Sequence, residues 1–289
     1  MRPVPSNKLS LGGCAVVALA AAAAAHAGGP SRNGIVAFVR CCGGPTGIYA
    51  VRPDGGGQRL VYRALHDDAP LTPAFSPNGR LIAYAPGAPL GGIWVMNANG
   101  TNRHRVVRGN GDALAPTWST DSTKIAFADL ARPRARLHDI FVVRANGTGL
   151  RRLRGAVVDL GDPAWAPDDS AIAYQRGRSV WTMRTDGTRP RLLVANASSP
   201  AWSPGATTLA FVRGGDPWIV RRNGAGAKRV VHEPAAQVSV TWSPDGRWLV
   251  TAPIDRGDLV LVQANGATTK PLTSQPGYFH AWPSWQRLR

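Results

Sequence analysis

The chain alternates short apolar segments with polar turns, and one such unit recurs along its length. In the clearest copy, residues 241–250, an apolar segment ends at Trp242, a Ser-Pro-Asp-Gly turn follows, and a second apolar segment begins at Leu249. Proline presets one turn dihedral and glycine accepts a positive φ, so this pattern predicts a β-hairpin. Aromatic residues end the equivalent segment in the other copies: Phe75, Trp118, Trp165, Trp202 and Trp285.

The spacing of these aromatic anchors predicts an architecture. Successive anchors are 43, 47, 37, 40 and 43 residues apart, and a period of about 40–45 residues with strand signals is typical of a radial array of sheets. Each unit also carries a third apolar segment followed by a hairpin dipeptide. These dipeptides are Asp54-Gly55, Asn99-Gly100, Asn146-Gly147, Asp186-Gly187, Asn223-Gly224 and Asn265-Gly266. Six anchors and six turns predict six blades.

The order of the segments predicts how each blade is built and how the ring closes. Enrichment in β-branched and aromatic residues favours strands throughout. Residues 35–39 form an apolar segment with no anchor before it, and residues 283–285 supply an anchor with no unit after it. We therefore predict an all-β fold, a six-bladed β-propeller of four-stranded antiparallel blades. The ring is expected to close by pairing of the N- and C-terminal strands, which removes unpaired edges.

The N-terminus has the pattern of a secretory signal. A basic start precedes an apolar segment at residues 11–25, and Ala25-His26-Ala27 fits a small-x-small cleavage site. We expect two parts, a signal peptide at 1–27 and the propeller at 28–289, and a secreted, periplasmic or cell-envelope protein with no membrane span after cleavage. The 289 − 27 = 262 remaining residues give about 44 per blade. A retained membrane anchor is the alternative.

The chain is strongly basic. Its formal net charge is +17, from 34 Lys and Arg against 17 Asp and Glu, which favours anionic partners. Many basic residues follow the hairpin turns, as in residues 151–154 and Lys228-Arg229. These positions fall on predicted outer strands, where charge prevents edge-to-edge pairing. Because no nucleic-acid-binding motif is present, we expect a solvated rim and no specific nucleic-acid partner.

Two cysteines remain after signal removal, Cys41 and Cys42, and they are neighbours. A disulfide between adjacent residues is strained. Two free thiols, a redox pair and a cross-link to a partner are the open alternatives.

The predicted loops divide between two faces. The hairpin turns fall on one face, called here the turn face, and the loops of varying length fall on the other, the loop face. Variable loops on a rigid scaffold commonly carry binding residues, so we expect a site on the loop face at the mouth of the central channel. The longest insertion, residues 129–139, carries three arginines that can clamp phosphate or carboxylate groups. The candidate residues are Arg132, Arg134, Arg136, His66, Asp67, Asp68, His138, Asp139, Asp162 and His280.

The repeats resemble those of the TolB-like six-bladed β-propellers, which are built from WD-like repeats of the Pro-x-Trp-Ser-Pro-Asp-Gly type. The closest copies are residues 242–246 and 75–79. In the periplasmic protein that names the family, the propeller follows a smaller α/β domain and docks an envelope lipoprotein. Related propellers also cap serine peptidases, but this chain has no Gly-x-Ser-x-Gly elbow. The resemblance implies a fold, and it leaves the activity open.

Two functional hypotheses follow. The first is a monomeric binding or scaffolding module, without catalytic residues, cofactor or metal, whose partner is another envelope or secreted protein or an anionic envelope polymer. The alternative is a propeller enzyme, a metal-dependent lyase or a lactonase, with a site at the channel mouth formed by His66, His138, His280 and nearby aspartates. No three metal ligands stand at a diagnostic spacing, so solvated loop histidines are the simpler interpretation.

Overall fold

The computed structural model describes residues 32–41, 45–64, 70–87, 90–109, 113–130, 138–158, 162–232, 236–253, 257–275 and 278–288. Within these ranges the chain forms 24 β-strands and no helix. The strands make six four-stranded antiparallel sheets arranged as the blades of a propeller. The predicted all-β, six-bladed fold is therefore confirmed, while the predicted signal peptide at 1–27 lies outside the described residues.

The strands follow one another in the order that the repeats predict. The first twelve are β1 (Arg32–Cys41), β2 (Gly47–Val51), β3 (Arg59–Arg63), β4 (Pro70–Phe75), β5 (Leu81–Pro86), β6 (Ile93–Asn97), β7 (His104–Val107), β8 (Leu114–Trp118), β9 (Lys124–Leu130), β10 (His138–Arg144), β11 (Arg151–Val158) and β12 (Ala164–Trp165). The second twelve are β13 (Ile172–Arg176), β14 (Ser179–Met183), β15 (Arg191–Ala195), β16 (Ser198–Trp202), β17 (Thr208–Arg213), β18 (Asp216–Arg221), β19 (Lys228–Arg229), β20 (Gln237–Trp242), β21 (Trp248–Pro253), β22 (Val260–Gln263), β23 (Thr269–Pro271) and β24 (Phe279–Leu288). From the channel outward, blade 1 contains β24, β1, β2 and β3, and blades 2 to 6 contain β4–β7, β8–β11, β12–β15, β16–β19 and β20–β23.

The ring closes through the two ends of the described chain. The C-terminal strand β24 is the innermost strand of blade 1 and pairs antiparallel with β1, placing Val36 opposite Trp285. Asn33 adds a link to blade 6, because its amide Nδ2 donates to Asp245 Oδ2 over 3.0 Å. The predicted closure by N- and C-terminal strands is confirmed, and it covers the edge that β1 would otherwise expose.

The recurring Ser-Pro-Asp-Gly motif is a structural turn. In blade 6 the Ser243 Oγ donates to Asp245 Oδ1 over 2.5 Å and accepts the backbone N–H of Trp248 over 2.9 Å. Gly246 has φ 70, which glycine adopts without steric cost. Serine makes the same pair of bonds in two other blades, at Ser76 and Ser119. The motif therefore belongs to the fold rather than to a site.

The tryptophan anchors join neighbouring blades, as their spacing predicts. Their rings are buried between sheets, and in three of the five the indole N–H donates to a carbonyl of the preceding blade's inner strand. The pairs are Trp118 with Ala74 (3.0 Å), Trp202 with Ala164 (3.1 Å) and Trp242 with Ala201 (3.2 Å). The tryptophans of the third strands are half-buried and pack against the core clusters: Trp94, Trp181 and Trp218.

Candidate functional site

The inner strands surround a central channel, and six equivalent residues line a small cavity in it. Each lies three positions before an aromatic anchor, toward the loop face. We call this set the channel neck: Thr72, Ala115, Asp162, Ser199, Ser239 and Trp282. Four of the six have φ 49, and the strand register shifts close to each of these four. Such bulges bend a strand and re-aim its side chains, which accounts for the exposure of these positions to the channel.

The neck is small, and a larger cavity of mixed polar and apolar lining lies beyond it. The cavity of the neck has a volume of about 110 Å³ and is also lined by the prolines that follow five of the six neck residues. Since a water molecule occupies about 30 Å³ in the liquid, the neck holds a few waters or one short side chain. Toward the turn face the channel continues as a cavity of about 240 Å³ lined by the aromatic anchors.

Asp162 is the ionisable member of the channel neck. Its carboxylate accepts a hydrogen bond from the Ser199 Oγ of the next blade over 3.1 Å. Asp162 is half-buried in the neck, and the loss of surrounding water disfavours the charged form and raises the pKa of Asp162 to about 6, although the Ser199 bond lowers it. An ionised carboxyl group has two oxygens that can accept several hydrogen bonds. Asp162 can therefore accept further donors, or a cation, that enter the neck from the loop face.

His280 belongs to a different cluster, at the closure between blades 1 and 6. Its ring is fully buried, with Nδ1 3.0 Å from Thr273 Oγ1 and 3.4 Å from Asp258 Oδ1. Burial lowers the pKa of His280 to about 4, while the Asp258 charge opposes that shift. The ring is consequently neutral at neutral pH, and its packing edge-on against Phe38 at 5.1 Å makes it part of the core.

The predicted position of His280 in a loop is wrong, for a reason found in the closure. Strand β24 extends back to Phe279 because it pairs with the full length of β1, where Cys41 lies opposite Phe279 and Arg40 opposite His280. The anchor repeat alone predicted this strand only at residues 283–285. Cys41 is thus the last residue of a paired strand, and Cys42 lies outside the described residues.

The remaining predicted site residues do not gather at the channel. His138 is the half-buried first residue of β10 in blade 3, and Asp139 is buried and pairs with Arg152 over 3.1 Å. His138 and His280 lie on blades 3 and 1, with blade 2 between them, so the structure does not bring together these two histidines of the alternative enzyme site. The other six candidates lie outside the described residues: His66, Asp67, Asp68, Arg132, Arg134 and Arg136.

Acidic and metal-binding side chains are dispersed. Across the described ranges, no three His, Cys, Asp or Glu side chains lie close enough together to hold a metal ion. The described part of the chain also contains no helix with the length and apolarity needed to cross a membrane.

Sequence reasoning identified Asp162 but missed its surroundings. Ser199, its hydrogen-bond partner, lies 37 residues away in the chain, and Thr72, whose Oγ1 accepts the Ala115 N–H over 2.9 Å, joins two other blades. One signal was available, because every neck residue stands three positions before an anchor. Aligning the repeats on their anchors would have shown that this position differs from blade to blade.

Comparison with known proteins agrees with this architecture. Residues 35–288 match the family model described as the TolB beta propeller domain, whereas no curated protein sequence matches the chain significantly. TolB from Acinetobacter baumannii is similar in structure, with a TM-score of 0.76 and 18% identity over 88% of this chain and 66% of that protein, so this chain spans just under two thirds of it.

Two further structures share the fold at low identity. A chain of a nidogen/laminin complex has a TM-score of 0.69 and 14% identity, over 87% of this chain and 98% of that one. Hydrazine synthase from Kuenenia stuttgartiensis has a TM-score of 0.70 and 12% identity, over 90% of this chain and 47% of that one. Structural similarity at such low sequence identity shows a shared fold alone, because one propeller scaffold supports many unrelated functions. The match over residues 35–288, together with the six closed blades, shows that the chain belongs to the TolB β-propeller domain family.

Proposed function

We propose that the protein is a binding or scaffolding module whose partner docks on the loop face over the channel neck. The observation that supports this most directly is Asp162. Its carboxyl group lies in a concave, narrow opening with one bond to Ser199 and a pKa raised to about 6. Perturbed acids in clefts are characteristic of functional sites.

The fold itself does not require an acid at this position. The equivalent residues of neighbouring blades are Ala115 and Ser199, which line the same neck without a carboxyl group. The pKa of Asp162 is about 6 in the folded chain, against an ordinary value of 3.8. Since a pKa difference of one corresponds to 1.36 kcal/mol, ionising Asp162 in the folded chain costs about 3 kcal/mol. A ligand that pairs with the carboxylate would offset this cost.

The chemistry of the neck favours a protein partner. A carboxylate in a cavity of about 110 Å³ suits an inserted ammonium, guanidinium or amide group, which protein side chains supply. The prolines around it provide a rigid apolar rim. Arg132, Arg134 and Arg136, predicted on the same face, would then meet acidic groups at the periphery of the partner. An anionic envelope polymer would instead engage those arginines without needing Asp162.

The cellular setting remains a proposal from the sequence. The signal-peptide pattern at 1–27 supports export, and we propose that the propeller, residues 28–289, acts in the cell envelope or outside the cell as a monomer. No catalytic role is proposed, because the described histidines of the alternative enzyme site lie in separate blades.

Quantitative affinity purification from envelope extract tests this proposal. The tagged protein is compared with Asp162→Asn, which removes the charge and keeps the shape, and with Asp186→Asn, which removes an exposed acid on the turn face. We expect a partner protein whose recovery falls roughly 10-fold or more with Asp162→Asn, since hydrogen bonds to charged groups contribute about 1.5–3 kcal/mol. Recovery should be unchanged with Asp186→Asn.

A third variant separates the two kinds of partner. Replacing Arg132, Arg134 and Arg136 by alanine should moderately weaken the binding of a protein partner. The same replacement should abolish the binding of an anionic polymer. Equal recovery of every partner by the wild type and Asp162→Asn would refute a docking site at the neck.

A further inference from the structure

A second concave site lies on the turn face, between blades 4 and 5. It is a cleft of about 800 Å³ bounded by the turn at residues 205–208 and by the end of β18 with its hairpin at residues 221–223. Asp168 and Arg191, both from blade 4, form the opposite wall. The cleft is on the other side of the propeller from the channel neck, so the proposed function does not use it.

The cleft is lined by an excess of positive charge. Arg191, Arg221 and Arg222 face one acid, Asp168, across it. An adjoining cavity of about 210 Å³, which shares Arg191 and Arg222, adds the arginines at positions 184 and 189. The residues that line the two cavities carry five guanidinium groups and one carboxylate, and with Asp186, which interacts with Arg184 beside them, the local formal charge is +3. Concave surfaces lined by one sign of charge concentrate the field and attract ions of the opposite sign.

Arg222 is fixed in place before any ligand arrives. Its Nη1 pairs with Asp168 Oδ2 over 2.5 Å, and its Nη2 donates to the Ser170 Oγ. The guanidinium also lies over the ring of Trp202, 5.4 Å from the ring centroid, an arrangement that favours a cation. Burial raises the pKa of Asp168, but hydrogen bonds from Ser170 and Arg222 outweigh burial and hold the pKa below the ordinary value, so the carboxylate stays ionised and paired with Arg222.

The other two arginines of the cleft retain donors for a ligand. Arg191 donates from Nη2 to the backbone carbonyl of Arg222 over 2.8 Å, which orients its guanidinium along the cleft wall. Its Nε also donates to Thr182 Oγ1 over 3.4 Å. A guanidinium has five N–H donors in a planar fork, so three donors of Arg191 stay available. Arg221 is exposed at the end of β18 on the opposite side. Forks of this kind bind carboxylate and phosphate groups through paired hydrogen bonds.

From this geometry we propose that the cleft between blades 4 and 5 binds an extended anion carrying more than one phosphate or carboxylate group. Arg191 and Arg221 contact the anionic groups directly, Arg184 and Arg189 extend the site into the adjoining cavity, and the backbone carbonyl of Arg222 orients Arg191. Phosphate and carboxylate ligands of this kind share one feature, oxyanions spaced along a short chain. One probe of each kind distinguishes them.

The distribution of arginines in the repeat provides a matched control. Arg221 ends the third strand of blade 5 and Arg144 ends the third strand of blade 3; Arg191 begins the fourth strand of blade 4 and Arg59 begins the fourth strand of blade 1. All four side chains are exposed. The double variants Arg191→Gln/Arg221→Gln and Arg59→Gln/Arg144→Gln therefore remove the same charge from equivalent positions, but only the first alters the cleft.

Isothermal titration calorimetry of the purified protein with tripolyphosphate, and separately with citrate, tests the proposal. We expect saturable binding of at least one probe that weakens as NaCl is raised, because salt screens exposed charges over about 10 Å at 0.1 M. The cleft double variant should lose roughly 10-fold or more in affinity, and the control double variant should bind like the wild type. Unchanged far-UV circular dichroism establishes that both variants fold.

The outcomes are separable. Binding of tripolyphosphate alone assigns a phosphate ligand, binding of citrate alone assigns a carboxylate ligand, and binding of both assigns a general oxyanion site. Equal losses in the two double variants would show diffuse attraction by the basic surface and overturn the proposal. Failure of both probes to bind the wild type would overturn it as well.

Discussion

Replacing Asp162 with asparagine should stabilise the protein at alkaline pH. In the folded chain the pKa of this carboxyl group is raised to about 6, against an ordinary value of 3.8. Above pH 6 the folded chain carries a charge that burial disfavours, and the unfolded chain carries the same charge in water. Stability is thus lost as pH rises from 3.8 to 6, and the full cost persists at higher pH.

The size of the effect follows from the shift. A difference of about 2.2 units at 1.36 kcal/mol per unit gives about 3 kcal/mol. Asparagine keeps an acceptor for the Ser199 hydroxyl and carries no charge, so it avoids this cost. We expect Asp162→Asn to be more stable than the wild type by about 2–3 kcal/mol at pH 8, with this advantage disappearing near pH 4.

Urea denaturation at pH 4, 5, 6, 7 and 8, followed by tryptophan fluorescence, measures this difference. Comparing two chains that differ at one site cancels the titration of all other groups. Ser199→Ala is the companion variant: without the hydroxyl that stabilises the charged form, the pKa should rise further, and the loss of stability above pH 6 should grow. A wild-type-minus-variant difference that is constant from pH 4 to pH 8 would show that Asp162 is an ordinary solvated acid.

Three further predictions concern the closure and the anchors. The contribution of His280 to stability should fall by about 3 kcal/mol between pH 6.5 and 4, since the unfolded chain gains a proton that the buried ring does not take up. Because Asp162 acts in the opposite direction over nearly the same range, the measured quantity is the stability of the wild type minus that of His280→Gln in urea titrations, and a difference that does not change with pH would disprove the assignment. Ending the chain after Gln275 removes β24 and should abolish the cooperative thermal transition, whereas a native melting curve would show that blade 1 does not need its inner strand. Trp202→Phe should cost about 1–3 kcal/mol in urea denaturation by leaving the Ala164 carbonyl without its 3.1 Å bond, and a change below 0.5 kcal/mol would refute a bridging role.

The fold could be predicted from the sequence because the repeat contains the necessary local information. Each anchor, each Ser-Pro-Asp-Gly turn and each Asn-Gly or Asp-Gly hairpin acts within a few residues of the chain, as the bonds from Ser243 to Asp245 and Trp248 show. The closure could also be predicted, because an unmatched strand at residues 35–39 and an unmatched anchor at Trp285 complement each other. The length of β24 could not be predicted, since it depends on the pairing of β24 with β1 rather than on the repeat period.

The site could be predicted from the sequence only in part, because it depends on contacts between blades. Asp162 could be placed on the loop face from its position in the repeat, but its bond to Ser199 depends on how two inner strands approach each other across the channel. For the arginines that follow the hairpin turns, the sequence alone predicts a solvated rim. Arg191 and Arg222 belong to adjacent blades, and only the packing of those blades joins them through the carbonyl of Arg222.

Site-specific photo-crosslinking in living cells addresses the binding hypothesis most directly. One crosslinker replaces Arg178, an exposed residue on the loop face of the blade that carries Asp162, and another replaces Arg144, an exposed residue on the turn face. Docking at the channel neck should give a discrete adduct from position 178, none from position 144, and loss of the adduct when Asp162→Asn is added. An adduct from position 144 alone, or one from position 178 that persists with Asp162→Asn, would show that the partner does not dock at the channel neck.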